Sequence, residues 1–470
     1  MLALCTALGG CTTDAVDHDG RCAPKVLAGT FTGLDLDLLQ GYTRVGGDLQ
    51  IPEGTTSLMA LGCLEHVDGG LTIADLPALG DLSGLENLQH VGGLSLSGLT
   101  ALDDTSGLSG LREIDDGMSL WDLPALRELA APANLTTLTS VELVRLSALE
   151  RWEPPIGVDE LDRVMIAEVE PSASITALVG VTHIGQLNLD LGPQPNPLPA
   201  SPHLHLDGLR TADALALHGV PAGVIASLGA LESVGGMTLS SPSATDLAGL
   251  ASLRTATSLR ITNSPALTSL HGLEALEEAS SIELTSLAAL ADLDGLAGLR
   301  RVVGQPPARD GVAGDLPSIQ LERCPALHDV SALDGLESDY LFELSLRELP
   351  SLTTLPSWPA LRRIGYLDLD RTGVTDLDAL LGVTRMDASY FAAGDPAPHD
   401  SDNFSITLTD NPALADLEGL AGVVAVGAWG DLYIHDNAAL PSCSVDALVE
   451  QLGAAGRTDG TYEVGDNGDC

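Results

Sequence analysis

The sequence predicts a mainly β fold, a parallel solenoid of about sixteen coils of about 23 residues each with few short helices. Three observations carry this. Along residues 280–302 the apolar side chains are Ile282, Leu284, Leu287, Leu290, Leu293, Leu296, Leu299 and Val302, so an apolar residue recurs every third position after the first pair. Neither the helical period of 3.6 nor the strand period of 2 does this. A coil does, because each short segment sends one side chain inward before the chain turns. Second, the same pattern recurs along nearly the whole chain. Third, 51 Gly and 27 Pro suit several turns per coil, and with aromatics at only 3%, Leu, Ala and Val must fill the core.

Taken in order, residues 1–10 (MLALCTALGG) form a short apolar run with small residues before Cys11, the pattern of a cleaved leader. Residues 11–25 are polar and read as a tether. The solenoid with its N-terminal cap is expected over 26–440. Its coils start at Leu49, Leu71, Leu94, Met118, Val141, Val164, Leu187, Leu215, Met237, Leu259, Ile282, Ile319, Leu344, Leu367, Ile406 and Leu432. Gly-Gly often precedes the strand, as at Gly69-Gly70, Gly92-Gly93 and Gly235-Gly236, and is assigned to turns that need positive φ. The sixth position holds Leu76, Leu99, Leu123, Leu146, Val169, Leu287 and Leu349. Pro follows at Pro77, Pro124, Pro265, Pro325, Pro350 and Pro412, marking the corner where the strand ladder ends.

Each L-x-L unit is a short strand, and stacked coils place its middle residue on an outer row: Thr72, Ser95, Ser119, Glu142, Asn188, Thr238, Arg260, Glu283, Gln320, Ser345, Asp368, Thr407 and Tyr433. Four stretches rich in Pro, Gly or Asp interrupt the period, at 152–160, 190–203, 303–316 and 387–403, and read as loops leaving the solenoid. In residues 441–470 the pattern changes. A short helix over 445–452 and a last strand over 462–464 are expected to cap the final coil.

The run G-G-x-L-x-I followed by L-x-x-L-x-x-L-x-x-L-x-x-V, as in residues 69–91 (GGLTIADLPALGDLSGLENLQHV), resembles leucine-rich repeats and more closely the receptor L domain. The resemblance spans roughly 45–440. It implies a right-handed solenoid and a recognition role, since family members include surface receptors and bacterial lipoproteins. The Asn ladder of standard leucine-rich repeats is mostly missing, which favours the β-helical variant. Leu8-Gly9-Gly10-Cys11 resembles a bacterial lipobox. That implies lipidation of Cys11, and Thr12 after it implies an outer-membrane destination.

Charge narrows the partners. There are 66 acidic and 21 basic residues, net −45, with Lys25 the only lysine. Such a field repels phosphate backbones, so nucleic-acid binding is not expected; cations or a basic partner are favoured. No segment has about 20 uninterrupted apolar residues, so any membrane attachment is expected through Cys11 alone.

Seven cysteines are present. Cys5 leaves with the leader. Cys443 and Cys470 flank the C-terminal cap and are expected to staple it, and Cys22 and Cys63 the N-terminal cap; spacing leaves other pairings open. Cys324 replaces the leucine of position six, so a buried thiol is expected, with a reactive nucleophile as the alternative. His203 and His205 are two imidazoles on one expected strand without a third ligand. Asp368, Asp370 and Asp376 invite comparison with β-helical polysaccharide enzymes, which use carboxylates on adjacent strands. Trp121, Tyr366 and Tyr433 are expected to face outward as binding anchors, joined by Asp368.

These readings describe a non-enzymatic, lipid-anchored recognition protein of the outer membrane or cell surface. It would be a monomer without cofactor or metal, binding a protein or glycan through its sheet face and loops. The alternatives are a polysaccharide-acting enzyme and a structural envelope spacer.

Overall fold

A computed structural model describes residues 22–130, 135–153, 157–169, 173–191, 203–304, 316–388, 403–427 and 429–470. The leader, Cys5, Cys11 and most of the tether lie outside the described residues. The chain forms two compact units, Met1–Leu209 and Arg210–Cys470, each a parallel solenoid.

In the first unit the strands are β1 (Leu49–Gln50), β2 (His66–Ala74), β3 (His90–Ser97), β4 (Gly117–Trp121), β5 (Ser140–Val144), β6 (Glu160–Ala167) and β7 (His183–Asp190). Each pairs in parallel with the next, and Leu49, Leu71, Leu94, Met118, Val141, Val164 and Leu187 stand in one register column. The stack begins one coil earlier than expected, because Phe31 bridges Leu49. A second small parallel sheet joins Glu128–Ala130, Arg151–Glu153, Ser174–Ile175 and His203–Leu204. Trp152, expected at the start of an insertion, is fully buried in that sheet.

The second unit contains β8 (Thr211–His218), α1 (Ala222–Ala226), β9 (Ser233–Leu239), β10 (Thr255–Thr262), β11 (Glu278–Thr285), β12 (Ser318–Glu322), β13 (Tyr340–Leu349), β14 (Arg363–Thr372), β15 (Asn403–Thr409), β16 (Trp429–His435), α2 (Ser442–Ala454) and β17 (Tyr462–Gly465). The column Leu215, Met237, Leu259, Ile282, Ile319, Leu344, Leu367, Ile406, Leu432 runs through nine strands and ends on Tyr462. All nine are buried, as is the third residue of each coil, so the L-x-L leucines are the inner row. Burying one such side chain is worth about 1.5–3 kcal/mol.

In most coils the backbone turns at the fifth position, one residue before the expected corner. Among the described residues, twelve non-glycine residues adopt positive φ, between 47° and 61°, and every one occupies position five: Asp75, Asp122 and Arg145 are examples, with Gly98 and Gly219 serving the same corner elsewhere. The glycine pairs before the strands do a different job from the one expected. Gly69, Gly92 and Gly235 do not have positive φ. A Cβ on Gly92 would come within 2.8 Å of the carbonyls of Asp68 and Gly69, so the glycine lets adjacent coils approach.

Opposite the strands, short 3-10 turns such as Ser331–Leu333 and Asp378–Leu380 close the coils. An aspartate just before most of these turns accepts a backbone N–H two residues on: Asp104 from Ser106 (2.7 Å), Asp292 from Asp294 (3.2 Å), Asp329 from Ser331 (2.9 Å), Asp416 from Glu418 (3.0 Å). Such side chains satisfy donors that the turn leaves unpaired, so part of the acidic excess is structural. At the strand entry of the second unit, Arg210, Glu232, Arg254, Glu277, Arg300 and Glu337 follow one another through backbone N–H···O bonds from each coil to the one before. Their side chains pair at 2.8, 3.1 and 3.7 Å as Arg210–Glu232, Arg254–Glu277 and Arg300–Glu337.

Position six carries polar residues toward the C-terminus. Asn411 Nδ2 donates to the Leu369 carbonyl, Asn437 Nδ2 to Leu408 and Asn467 Nδ2 to Ile434, each reaching the third residue of the preceding coil at 2.8–2.9 Å. This is a short asparagine ladder confined, among the described residues, to the last three coils, so that the ladder is mostly missing elsewhere, as expected. Leucine-lined strands, left-handed corners and this ladder make the architecture a leucine-rich-repeat-like parallel solenoid. Cys22–Cys63 and Cys443–Cys470 are bonded, with Cα separations of 5.5 and 5.6 Å. The helix α2 is longer than the expected 445–452.

A candidate recognition face

The strands of the second unit place three outward columns side by side. Glu343, Tyr366, Ser405 and Asp431 are in register, then Ser345, Asp368, Thr407 and Tyr433, then Arg347, Asp370, Thr409 and His435. With strands about 4.8 Å apart, the four strands β13–β16 span roughly 14 Å. Trp429 extends the β16 row outward and is 56% exposed.

Three of the four residues singled out from sequence therefore share one face. Tyr366 and Asp368 are neighbours on β14, and Tyr433 lies two strands from Asp368 in the same column. Trp121 ends β4 in the other unit, 36% exposed, and the face does not include it. Sequence reasoning missed Glu343, Asp431 and Trp429. The signal was available: alternation continues N-terminally beyond the L-x-L unit, so its outward residues include the one just before the first leucine.

Electrostatics on this face are strained. Arg347 Nε reaches Asp368 Oδ2 at 2.6 Å, yet Asp368 Oδ1 is buried without a hydrogen-bond donor. Burial raises the Asp368 carboxyl above its ordinary range against the pull of Arg347. Burial also raises Glu343, although Gln320 Nε2 donates to it at 2.8 Å. Tyr366 is raised by burial and by the charges of Asp431 and Glu343, and its ring packs edge-on against Phe342 at 5.0 Å. Asp370 is held by Thr409 Oγ1 (2.8 Å) and Arg371 (2.8 Å).

The three-aspartate arrangement does not assemble. Asp376 accepts the Asp378 N–H at 3.2 Å in a turn cap, leaving only Asp368 and Asp370 on the strand. Among the described residues, no group of three or more His, Cys, Asp or Glu side chains comes together to hold a metal ion. His205 follows the strand His203–Leu204 and contacts Asp207 at 3.1 Å; the His203 side chain lies outside the described residues. Cys324 is fully buried, with Sγ 3.8 Å from the Leu284 carbonyl, the acceptor that ladder asparagines use elsewhere. Burial pushes its thiol up to about 11, so it acts as a ladder member and not as a thiolate. No helix of the described residues is long and apolar enough to cross a membrane.

No protein-family model matches the sequence, and no curated protein does. Solved structures similar to this chain include an internalin from Listeria monocytogenes (15% identity, 85% of this chain, 81% of that chain, TM-score 0.31). Others are a leucine-rich repeat protein from Bacteroides ovatus (12%, 73%, 82%, TM-score 0.22) and the Toll–Spatzle complex of Drosophila (13%, 94%, 61%, TM-score 0.27).

Proposed function

We propose that this chain is a recognition protein of the cell envelope, lipid-anchored at Cys11, that binds a protein or glycan through the outward face of β13–β16. One observation carries the reading. Both stretches pair side chains across these columns, as Arg260 with Glu283 at 2.7 Å upstream and Arg347 with Asp368 at 2.6 Å downstream, but upstream on β10–β12 the columns hold no aromatic ring. On β13–β16 they gather Tyr366 and Tyr433 with four carboxylates and a row of hydroxyls, with Trp429 beyond them on β16. Aromatic anchors beside polar groups are the usual make-up of a binding surface.

Two measurements test the two halves. A photo-crosslinking residue at Tyr433 should capture a defined envelope partner, and the same residue at Glu274, outside the strands, should not; equal labelling from both would sink the face. Protease shaving of intact cells should remove the wild type, while Cys11→Ala should appear in the soluble fraction. A Cys11→Ala protein that fractionates like wild type would remove the anchor.

A further inference from the structure

Three outward residues of β16 are spaced two apart: Trp429, Asp431 and Tyr433. Strand geometry puts a carboxylate about 7 Å from an aromatic ring on either side, all on one face. Tyr366 lies in the Asp431 column, roughly 10 Å away across β15, and the Asp431 charge adds to the burial that raises the Tyr366 hydroxyl. Asp431 Oδ1 accepts the Thr461 N–H at 2.7 Å, which fixes the carboxylate. No cationic side chain of the described residues pairs with it. The molecule already shows the matching chemistry elsewhere: Arg363 lies 4.4 Å over the Tyr340 ring while pairing with the buried Asp387.

We propose that Trp429, Asp431 and Tyr433 form the seat for an arginine side chain of an extended protein segment, its guanidinium edge on Asp431, one guanidinium face on a flanking ring and its aliphatic stem along the other. The choice of arginine over other occupants rests on charge and on shape. Of the four carboxylates on the face, Asp368 pairs with Arg347 and Asp370 with Arg371, which leaves Glu343 and Asp431 without a cationic partner among the described residues; on a chain of net charge −45 a cationic segment is drawn to them. A planar guanidinium stacks on aromatic rings and accepts a carboxylate at its edge, which a lysine ammonium does not do as well. The inference rests on the proposed recognition face and names the partner chemistry for it.

The test uses the full chain and a pair of soluble peptides, Gly/Ser octamers with two arginines or with two lysines, titrated calorimetrically at physiological and raised salt. The arginine peptide should bind more tightly than the lysine peptide. Asp431→Asn and Trp429→Ala should each weaken it about tenfold, with Trp429→Phe recovering part of the loss. Asp292→Asn removes one charge from a turn away from the face and should change binding less than twofold. Circular dichroism and the melting temperature check that the variants fold. Equal weakening by Asp292→Asn, or equal affinity for the two peptides, would mean diffuse attraction and overturns the seat. Binding of a neutral oligosaccharide, lost in Tyr433→Ala but not in Asp431→Asn, also overturns it while leaving the recognition face standing.

Discussion

Asn411 Oδ1 accepts two hydrogen bonds from Thr372 of the preceding coil, from the backbone N–H at 3.0 Å and from Oγ1 at 2.6 Å. The contact is buried on both sides, so neither residue can turn to water when the other is lost. Asn411→Ala strands three groups and should cost about 2–4 kcal/mol. Cys324→Ala at the equivalent position removes only a weak thiol donor and should cost about 1 kcal/mol. Urea denaturation of the two variants measures the difference; equal costs would show that the ladder is not what holds these coils.

Gly235 and Gly236 are adjacent in β9 but should respond in opposite ways to a methyl group. A Cβ on Gly235 would run into the Asp213 carbonyl, whereas on Gly236 it would meet nothing within 4 Å. Gly235→Ala should destabilise by about 2 kcal/mol through overpacking. Gly236→Ala should be neutral or stabilise by about 0.5 kcal/mol through the unfolded chain. Thermal melts of both proteins read this directly.

The left-handed corner predicts a preference that depends on side-chain shape. Ser286 sits at φ 59°. Ser286→Gly should cost nothing or stabilise by up to about 1 kcal/mol, because the Cβ penalty disappears. Ser286→Val places a branched Cβ in that conformation and should destabilise by about 1–3 kcal/mol. If valine melted like glycine, the strain assigned to position five would be absent.

Glu343 and Asp368 have carboxyls raised by burial. A group raised in the folded state favours folding below its unfolded pKa, and that contribution is lost as pH rises through the folded value. Stability should therefore fall from the carboxylate range toward neutrality in proportion to these groups. Glu343→Gln should raise Tm by about 1–2 °C at pH 7, after allowance for solvent screening, and by nothing near pH 4. A Tm gain that is the same at both pH values would assign the effect to something other than charge.

The coil period was legible because every coil buries its first and third strand residues. Side chains such as Leu71 and Ile73, or Ile406 and Leu408, announce themselves by hydrophobicity alone, and all sixteen expected coil starts fall in strands. The corner was not legible, because what matters at position five is a backbone angle that Asp75, Arg145, Glu168 and Ser286 all adopt. The ladder reads as mostly missing because, among the described residues, Asn411, Asn437 and Asn467 alone carry it as asparagines, at a position that apolar residues fill in most other coils. On the recognition face, Asp368 and Tyr433 were visible as middle residues of L-x-L units. Glu343 and Asp431 belong to the column beside them, which becomes a neighbour only through strand register. Asp370 and Asp376 look equivalent in sequence and separate in space because one lies on a strand and the other caps a turn.

The alternating column from Arg210 to Glu337 sets a parity rule for that stretch of the second unit. Each coil presents the charge opposite to those above and below it. Excising one coil would bring two arginines or two glutamates into register, whereas excising two restores the alternation. Length changes in this stretch should therefore cost least in pairs of coils, steps of about 45 residues, twice the repeat that the leucines alone define.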